Sequence, residues 1–380
     1  MNSPQKTYSG QSRYIELDSL RGIAALSVIL WHFFCATFTV TTPVTGLLLK
    51  GIYYLMHGRA AVILFFILSG FVLALPFFRE RKPGYGAFVV RRICRIYLPY
   101  VALLAFSILV RTFVTTKPIP DLSFWFNGFC GDAFSLKTAL EHLFLIGNIH
   151  SNVYNNAIWS LIHEMRISLV FPLLFLFVIR VRPAISIAVC FLLSGVAFLN
   201  ELLGWETSNG WESGYFYSLH IASFFIIGIL LARYKERLIQ WFVSLKKGTK
   251  ITLFIVSLLL FRISMEAWMV DMRWLLPSDY GSVLGACGLL IIALGSAKAS
   301  ALLRKPFFKF FGDISYSMYM IHITMLYLAF FLLYNHLPVP VILLVYVLAV
   351  IAASTIAWKV IELPSIALGR VLSKKLDSKR

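Results

Sequence analysis

The chain has 380 residues, of which 59% are hydrophobic and 14% are charged. A typical soluble domain is about 25% charged, so this composition excludes an ordinary soluble protein and requires lipid around most of the surface. The net charge of +18 does not indicate nucleic-acid binding, because the basic residues alternate with apolar segments. That alternation is typical of chains whose topology is set by a bilayer.

Ten apolar segments are long enough to cross a hydrocarbon core of about 30 Å as helices. They lie at about 18–38, 57–78, 97–116, 157–179, 184–203, 216–234, 251–270, 281–297, 313–334 and 339–361. The predicted fold is therefore an all-α polytopic integral membrane protein. We expect a cytoplasmic N-terminal segment at 1–17, a transmembrane domain at 18–364 and a basic cytoplasmic tail at 365–380. Residues 1–17 lack the layout of a cleaved signal.

The positions of Lys and Arg predict the orientation in the membrane. With the N-terminus inside, 27 basic residues lie in inside segments and 7 lie outside, and Arg166 within a span completes the total of 35. Cytoplasmic loops carry the excess of Lys and Arg. We therefore expect a multi-pass protein of the inner (plasma) membrane with both termini cytoplasmic.

The cysteines and histidines do not form a metal-binding pattern. The five cysteines are Cys35, Cys94, Cys130, Cys190 and Cys287, and none are in CxxC spacing. The sequence HEMRI at 163–167 is not HExxH, so zinc is not supported. We expect small buried thiols, no disulfide framework, no metal and no bound cofactor.

The first span contains Arg21 and His32, although each ionisable residue within a span costs about 2.5–3.5 kcal/mol. Their separation of 11 residues places both side chains on nearly the same helix face, about 16 Å apart along the axis. We expect Arg21 at the cytoplasmic entrance and His32 in the outer half. In the structural alternative, Arg21 only anchors the helix and His32 is a satisfied polar group between helices.

The fourth span contains His163, Glu164 and Arg166. Because this span enters from the outside, Glu164 is expected about 10 Å below the outer surface, at a depth similar to that of His32. A carboxylate at that level could orient His32 as a proton acceptor. The alternative is a structural ion pair between helices. Arg166 is a further buried charge that could pair with the face of His163 at i+3 or compensate Glu164 locally.

The second span and the following inside loop contain two further motifs. Ser69 and Gly70 lie at mid-membrane, where small residues usually indicate close helix packing. Arg91, Arg92 and Arg95 form a dense basic cluster before the third span. This cluster fits either contact with anionic lipid or bidentate recognition of phosphate.

The ninth span opens with the polar sequence GDISYSMYMIH. Asp313 is expected to cap this helix, and Tyr316 and His322 lie on a polar stripe that could be hydrogen-bonding contact between helices. The tenth span ends in Glu362-Leu363-Pro364, and Pro often follows a helix end.

Taken in chain order, these motifs resemble those of the membrane acyltransferase-3 family. The matching pieces are LDSLRG with the Arg21–His32 spacing, FFILSGF, RRICRIYLPY, WSLIHEMRISLVFP, ISYSMYMIH and IELP, which together extend from residue 17 to 364. The resemblance implies transfer of an acyl group, expected to be acetyl, from cytoplasmic acyl-CoA as co-substrate. The implied acceptor is a hydroxyl of a glycan or lipid-linked sugar of the cell envelope, such as lipopolysaccharide or exopolysaccharide.

The resemblance also implies roles for individual residues. His32 corresponds to the catalytic base, and Glu164 to the glutamate of the Trp-Ser-Leu-x-x-Glu element. The residues assigned to the acyl donor are Arg21, Arg92, Arg95, Ser69 and Tyr316. One departure is Arg166-Ile167, where many members have an aromatic pair.

Two questions stay open at this stage. Intramembrane Arg, His and Glu would also suit a proton-coupled transporter or flippase of an envelope glycan, although the chain shows no duplicated halves of the kind common in such carriers. For an acyltransferase, the sequence fits both direct attack by the sugar hydroxyl and an acyl-histidine intermediate.

Overall fold

The computed structural model describes residues 14–40, 43–80, 82–114, 117–128, 135–210, 212–263 and 272–377. Within these ranges the regular structure is helical, without strands. The helices are α1 (Ile15–Thr37), α2 (Pro43–Leu55), α3 (Gly58–Ala74), α4 (Tyr85–Arg92), α5 (Leu98–Phe113), α6 (Phe124–Asn127), α7 (Leu136–Leu143), α8 (Ile158–Arg180), α9 (Pro183–Leu203), α10 (Tyr215–Ser244), α11 (Lys247–Phe261), α12 (Met272–Gly295), α13 (Ala297–Leu303), α14 (Pro306–Leu333), α15 (Val339–Ala357) and α16 (Leu363–Asp377). We call the end of the bundle at which α1 and α14 begin the basic end.

Nine helical segments within the described ranges are long and apolar enough to cross a membrane. They are Ile15–Thr37, Thr45–Phe78, Tyr85–Phe113, Ile158–Arg180, Pro183–Leu203, Tyr215–Ser244, Pro277–Gly295, Pro306–Leu333 and Val339–Asp377. The all-α polytopic fold is thus confirmed. The remaining predicted span, 251–270, coincides in part with the 15 residues of α11, and its last residues, like Cys130 and residues 1–13, lie outside the described ranges.

Several of the spanning segments begin earlier than their sequence patterns predict. The segment predicted at 97–116 starts at Tyr85, and α4 joins α5 through a π-helical turn at Ile93–Tyr97. The segment predicted at 313–334 starts at Pro306, a residue that suits the first turn of a helix because its missing N–H would be unpaired there. Asp313 therefore lies within α14, where its carboxylate accepts a hydrogen bond from Lys309 Nζ at 2.6 Å, so the prediction that it caps the helix is wrong.

Helix α1 packs closely against α14 through two glycines. A methyl group added at Gly22 would lie 2.5 Å from the backbone N of Gly312, and one added at Gly312 would lie 2.5 Å from the carbonyl O of Asp18. Side-chain-free positions of this kind let two backbones approach within a membrane. Gly70 of α3 is pressed in the same way against the backbone of Phe225 in α10, as its sequence context suggested.

The long connection between α5 and α8 folds back onto the bundle. Ser123 is buried and donates from Oγ to the carbonyl of Cys35 at 2.5 Å, near the end of α1. Further along, Asn155 donates from Nδ2 to the carbonyl of Met320 at 2.6 Å. Because Met320 lies in the middle of α14, α8 begins inside the bundle and not at its surface. Helix α7, of eight residues, also lies in this connection.

Substituting Gly22 by Ala is expected to destabilise the protein, because the added methyl group would overlap the backbone of α14. Overpacking of this kind costs about 1–3 kcal/mol. We expect a lower thermal unfolding temperature for purified Gly22→Ala in detergent. Gly195→Ala in α9 is the control, since nothing lies within 4 Å of the added methyl group. Equal unfolding temperatures for the two variants would contradict the close α1–α14 contact.

Candidate active site

Three helices bring a buried arginine, a serine and a glutamate together near the basic end. Arg92 of α4 donates from Nη2 to Glu164 Oε1 at 2.8 Å and from Nε to Ser168 Oγ at 3.1 Å, both on α8. Ser69 of α3 donates to the same Glu164 oxygen at 3.2 Å. Glu164 is thus held by two donors from two different helices.

The other residues predicted for the acyl donor surround this contact. Arg21 approaches Asp18 Oδ1 at 3.4 Å and lies within electrostatic range of Arg92, Arg95 and Glu164. Tyr316 of α14 donates to the carbonyl of Ile96 at 2.7 Å and lies within the same range of Glu164 and Arg92. We call the six residues Arg21, Ser69, Arg92, Arg95, Glu164 and Tyr316 the arginine pocket.

Within the six residues of the arginine pocket, positive charge exceeds negative charge, and Asp18 and Glu362 lie beside it. Arg21, Arg92 and Arg95 supply three guanidinium groups against the single carboxylate of Glu164, with Asp18 beside Arg21. Arg95 is exposed on the π-helical turn, and its side chain makes no hydrogen bond or ion pair with any described residue. A guanidinium carries five N–H donors, so the pocket has donors available for an anionic ligand.

A second π-helical turn lies beside the first and carries a glutamate that the sequence did not single out as part of the site. It covers Trp358–Glu362, between α15 and α16. Glu362 is buried, accepts a hydrogen bond from Ser317 Oγ at 2.9 Å and lies within electrostatic range of Arg95. Such π-helical turns occur frequently at functional sites.

His32 lies away from the arginine pocket, further along α1. Its Nδ1 is 2.9 Å from the carbonyl of Val28 and 3.2 Å from Nε2 of His322. His322 is fully buried, and its Nδ1 is 2.6 Å from the carbonyl of Tyr319. Trp125 of α6 lies on the other side, with its ring centroid 5.4 Å from that of His32. The imidazole of His32 is half-buried, whereas that of His322 is sealed.

The expected pairing of His32 with Glu164 is wrong. Glu164 bonds Arg92 and Ser69, and the ring against His32 belongs to His322. The error has a topological cause: α8 begins inside the bundle, so Glu164 in its second turn reaches the arginine pocket near the basic end. The resemblance-based assignment of Glu164 to catalysis stays a prediction.

Arg166 holds connections in place and does not compensate Glu164. Its guanidinium donates to four backbone carbonyls and to Ser218 Oγ, at 2.7–2.9 Å. The carbonyls belong to Ile146, Gly147, Ser213 and Gly214. One side chain therefore ties the connections before α8 and before α10 together. His163 makes a further contact with the connection before α10, since its Nε2 lies 2.7 Å from the carbonyl of Glu212.

A second group of buried charges lies near the start of α3. Arg59 donates to both carboxylate oxygens of Asp279 at 2.7 Å, to Glu212 at 2.9 Å and to Tyr217 Oη at 2.5 Å. His220 lies 3.1 Å from Asp279. Burial raises the pKa of Glu212, and the guanidinium of Arg59 opposes that rise. Sequence reasoning missed this group because its members are far apart in the chain.

Comparison with known families identifies the chain. The model of the acyltransferase domain family matches residues 14–359, which is most of the sequence. The chain belongs to the membrane acyltransferase-3 family. No curated protein and no solved structure matches it significantly.

Membership makes this protein a membrane acyltransferase. The arginine pocket and the His32–His322 pair lie on helices that the match includes, and together they form the candidate active site. In the described part of the chain, no group of three His, Cys, Asp or Glu residues is placed to hold a metal ion.

Replacing Arg59 by Met is expected to destabilise this acyltransferase strongly, because the carboxylates of Asp279 and Glu212 would stay buried without their cation. Breaking a buried ion pair in this way costs about 3–5 kcal/mol. We expect a sharp loss of folded protein in size-exclusion chromatography. The triple variant Arg59→Met, Glu212→Gln, Asp279→Asn should recover much of it.

Lys298→Met removes an exposed cation and serves as the control for the loss of one positive charge. Its folded yield should match that of the wild type. If Arg59→Met also matched the wild type, the buried network would contribute nothing to stability and the prediction would fail.

Proposed function

We propose that this acyltransferase moves an acyl group, expected to be acetyl, from acyl-CoA to a hydroxyl of a cell-envelope or exopolysaccharide sugar. The donor enters from the cytoplasmic side, at the basic end of the bundle. The protein lies in the inner membrane with both termini in the cytoplasm. This orientation is supported by the excess of Lys and Arg in the segments at that end.

The arginine pocket is proposed to bind the phosphates of the donor. Acyl-CoA is an anionic nucleotide thioester, and guanidinium groups recognise phosphate oxygens bidentately. Arg95 is exposed and has unused donors, while Arg92 is held rigidly by Glu164 and Ser168. The proposal therefore assigns phosphate contact to Arg95 and Arg21, and assigns to Glu164 and Ser69 the task of fixing Arg92.

The main support for the proposal is the spacing of Arg21 and His32 on α1, which connects the arginine pocket with the histidine pair. Arg21 and His32 lie on one helix face, about 16 Å apart along its axis. That separation is of the order of an extended phosphopantetheine arm. A donor anchored at the arginines would place its thioester beside the half-buried imidazole of His32.

In the proposed reaction, His32 accepts the proton of the sugar hydroxyl as the hydroxyl oxygen attacks the thioester carbonyl carbon. The C–O ester bond forms and the C–S bond breaks. The departing thiolate takes the proton from the imidazolium, which yields the free CoA thiol and regenerates His32. An acyl-histidine intermediate would give the same products in two steps, and the test below does not depend on which route is used.

The acceptor is proposed to approach from the opposite side of the membrane. Trp125 and the connection around Ser123 cover His32 on that side, and sugars are commonly bound against aromatic rings. The transporter alternative has lost support, because the family is one of acyltransferases.

Replacing His32 by Ala should abolish acyl transfer. Purified protein in lipid vesicles would receive radiolabelled acetyl-CoA and crude envelope glycan, and label in a sugar ester would be counted. Loss of general-base catalysis is expected to lower the rate about 10²–10⁴-fold. His336→Ala, which removes an exposed imidazole, should retain wild-type transfer.

Equal labelling by wild type and His32→Ala, at equal folded yield, would remove His32 as the base and keep the enzyme. Absence of label with wild-type protein across several acyl chain lengths and glycan preparations would count against the proposed donor and acceptor classes.

Substituting Arg95 by Gln should raise KM for acetyl-CoA with little change in kcat. A hydrogen bond to a charged group contributes about 1.5–3 kcal/mol, which corresponds to a KM change of about tenfold or more. Acetyl-pantetheine lacks the phosphates, so its KM should be unaffected. Arg91→Gln is the matched control, because Arg91 faces Asp377 of α16 at 3.2 Å. An equal KM increase for both donors would contradict phosphate binding by Arg95.

A further inference from the structure

We propose that His322 is a positioning residue that holds His32 in the one tautomer able to act as a base. This inference deepens the proposed function and rests on it for the catalytic role of His32. Its basis is the chain of contacts Val28–His32–His322–Tyr319, which links α1 to α14.

Backbone carbonyls decide where the protons lie in this chain. A carbonyl oxygen only accepts hydrogen bonds. Because Nδ1 of His32 lies 2.9 Å from the carbonyl of Val28, that nitrogen must carry a proton. By the same reasoning Nδ1 of His322, 2.6 Å from the carbonyl of Tyr319, must carry one too. A neutral imidazole has a single N–H, so Nε2 of each ring is left with a lone pair.

The contact between the two rings fits only this assignment. Nε2 of His322 lies 3.2 Å from Nδ1 of His32. The lone pair on His322 Nε2 therefore accepts a hydrogen bond from the Nδ1–H of His32. The same N–H also donates to the carbonyl of Val28. The reverse direction would turn a lone pair of His32 towards the carbonyl of Val28, and two acceptors would then face each other. Protonated His322 would likewise direct an N–H at another N–H.

In this assignment Nε2 of His32 is unprotonated, and the ring is held through Nδ1 by the carbonyl of Val28 and by His322. When Nε2 takes the acceptor's proton, the new positive charge is shared with Nδ1–H, which two acceptors already stabilise. Second groups that orient a catalytic histidine in this way are a general feature of proton-transfer sites. Here an imidazole does so, without a carboxylate.

The part of α14 that carries His322 is held by a contact with α8. Tyr319 is anchored through its hydroxyl, which lies 2.7 Å from Ser160 Oγ on α8. The axial register is set by the glycine contact, since Gly22 faces Gly312 and His32 faces His322 at the same offset of 290 residues. The two helices therefore run parallel, and the histidines meet three turns beyond the glycines.

Kinetics of two substitutions test the positioning role. His322→Leu removes the acceptor at similar size, and we expect kcat to fall about tenfold or more while KM for acetyl-CoA stays within about twofold. His322→Gln keeps a side-chain oxygen that can accept from His32 Nδ1–H, so it should recover most of kcat. Folded yield and unfolding temperature are measured for each variant, because a purely structural role would lower the yield without separating kcat from KM.

A second measurement does not need activity. Two-bond proton–nitrogen spectra of protein containing isotope-labelled histidine report the tautomer of each ring, and His32→Gln and His322→Gln assign the two signals. Both rings should appear with the proton on Nδ1. A proton on Nε2 of either ring would overturn the proposal, as would wild-type kcat in His322→Leu or equal defects in the Leu and Gln variants. If wild-type protein transfers no acyl group but both rings carry Nδ1–H, the positioning contact stands and the proposed function fails.

Discussion

The close approach of α1 and α14 is the contact on which both halves of the candidate active site depend. With glycine on both sides, at positions 22 and 312, the two backbones touch without intervening side chains. The helices then run parallel at a fixed offset. One turn beyond the contact, Tyr316 lies near the arginines, and three turns beyond it His32 meets His322. A shift of one helix turn, about 5.4 Å, would separate the two imidazoles and move Tyr316 away from Ile96.

The arginines of the bundle fall into two kinds that differ in how their donors are used. The guanidinium groups of Arg59 and Arg166 donate hydrogen bonds to carboxylates, hydroxyls and carbonyls of the protein. A structural cation within a membrane protein requires such partners. Arg21 makes one contact of 3.4 Å, and Arg95 is left open. Burial does not separate the two kinds. Arg92 lies in the pocket and donates to Glu164 and Ser168, yet it is as buried as Arg59.

Much of this arrangement could be predicted from the sequence. Apolar length identified the spanning segments. Motif order placed Arg21, Arg92, Arg95, Ser69 and Tyr316 in one functional group, which the fold brings together, whereas Glu164 was grouped with His32 and instead contacts Arg92 and Ser69. Glu164 was placed at the wrong depth because sequence gives the length of a helix but not the level at which it begins. The entry of the α7–α8 connection into the bundle depends on the hydrogen bond from Asn155 to the carbonyl of Met320. No local sequence pattern predicts that contact.

The roles of His322 and of the Arg59 network also could not be predicted from local sequence. His322 looked like ordinary polar contact between helices, since its meaning comes from a ring 290 residues away. Arg59 and Asp279 each look like residues near a helix end, and their mutual neutralisation appears only when α3 and α12 are packed. Pairing over such distances follows from tertiary packing, which periodicity and composition do not encode.

The Arg59 network also bears on how the protein is made. Arg59 precedes its carboxylate partners Glu212 and Asp279 by 153 and 220 residues. A membrane protein is synthesised from its N-terminus, so the helix that carries Arg59 is made long before either carboxylate. During that interval the guanidinium must stay in water or among lipid headgroups, because placing it unpaired in hydrocarbon is costly. The contacts of Arg59 can therefore be completed only after α12, which carries Asp279, has been translated.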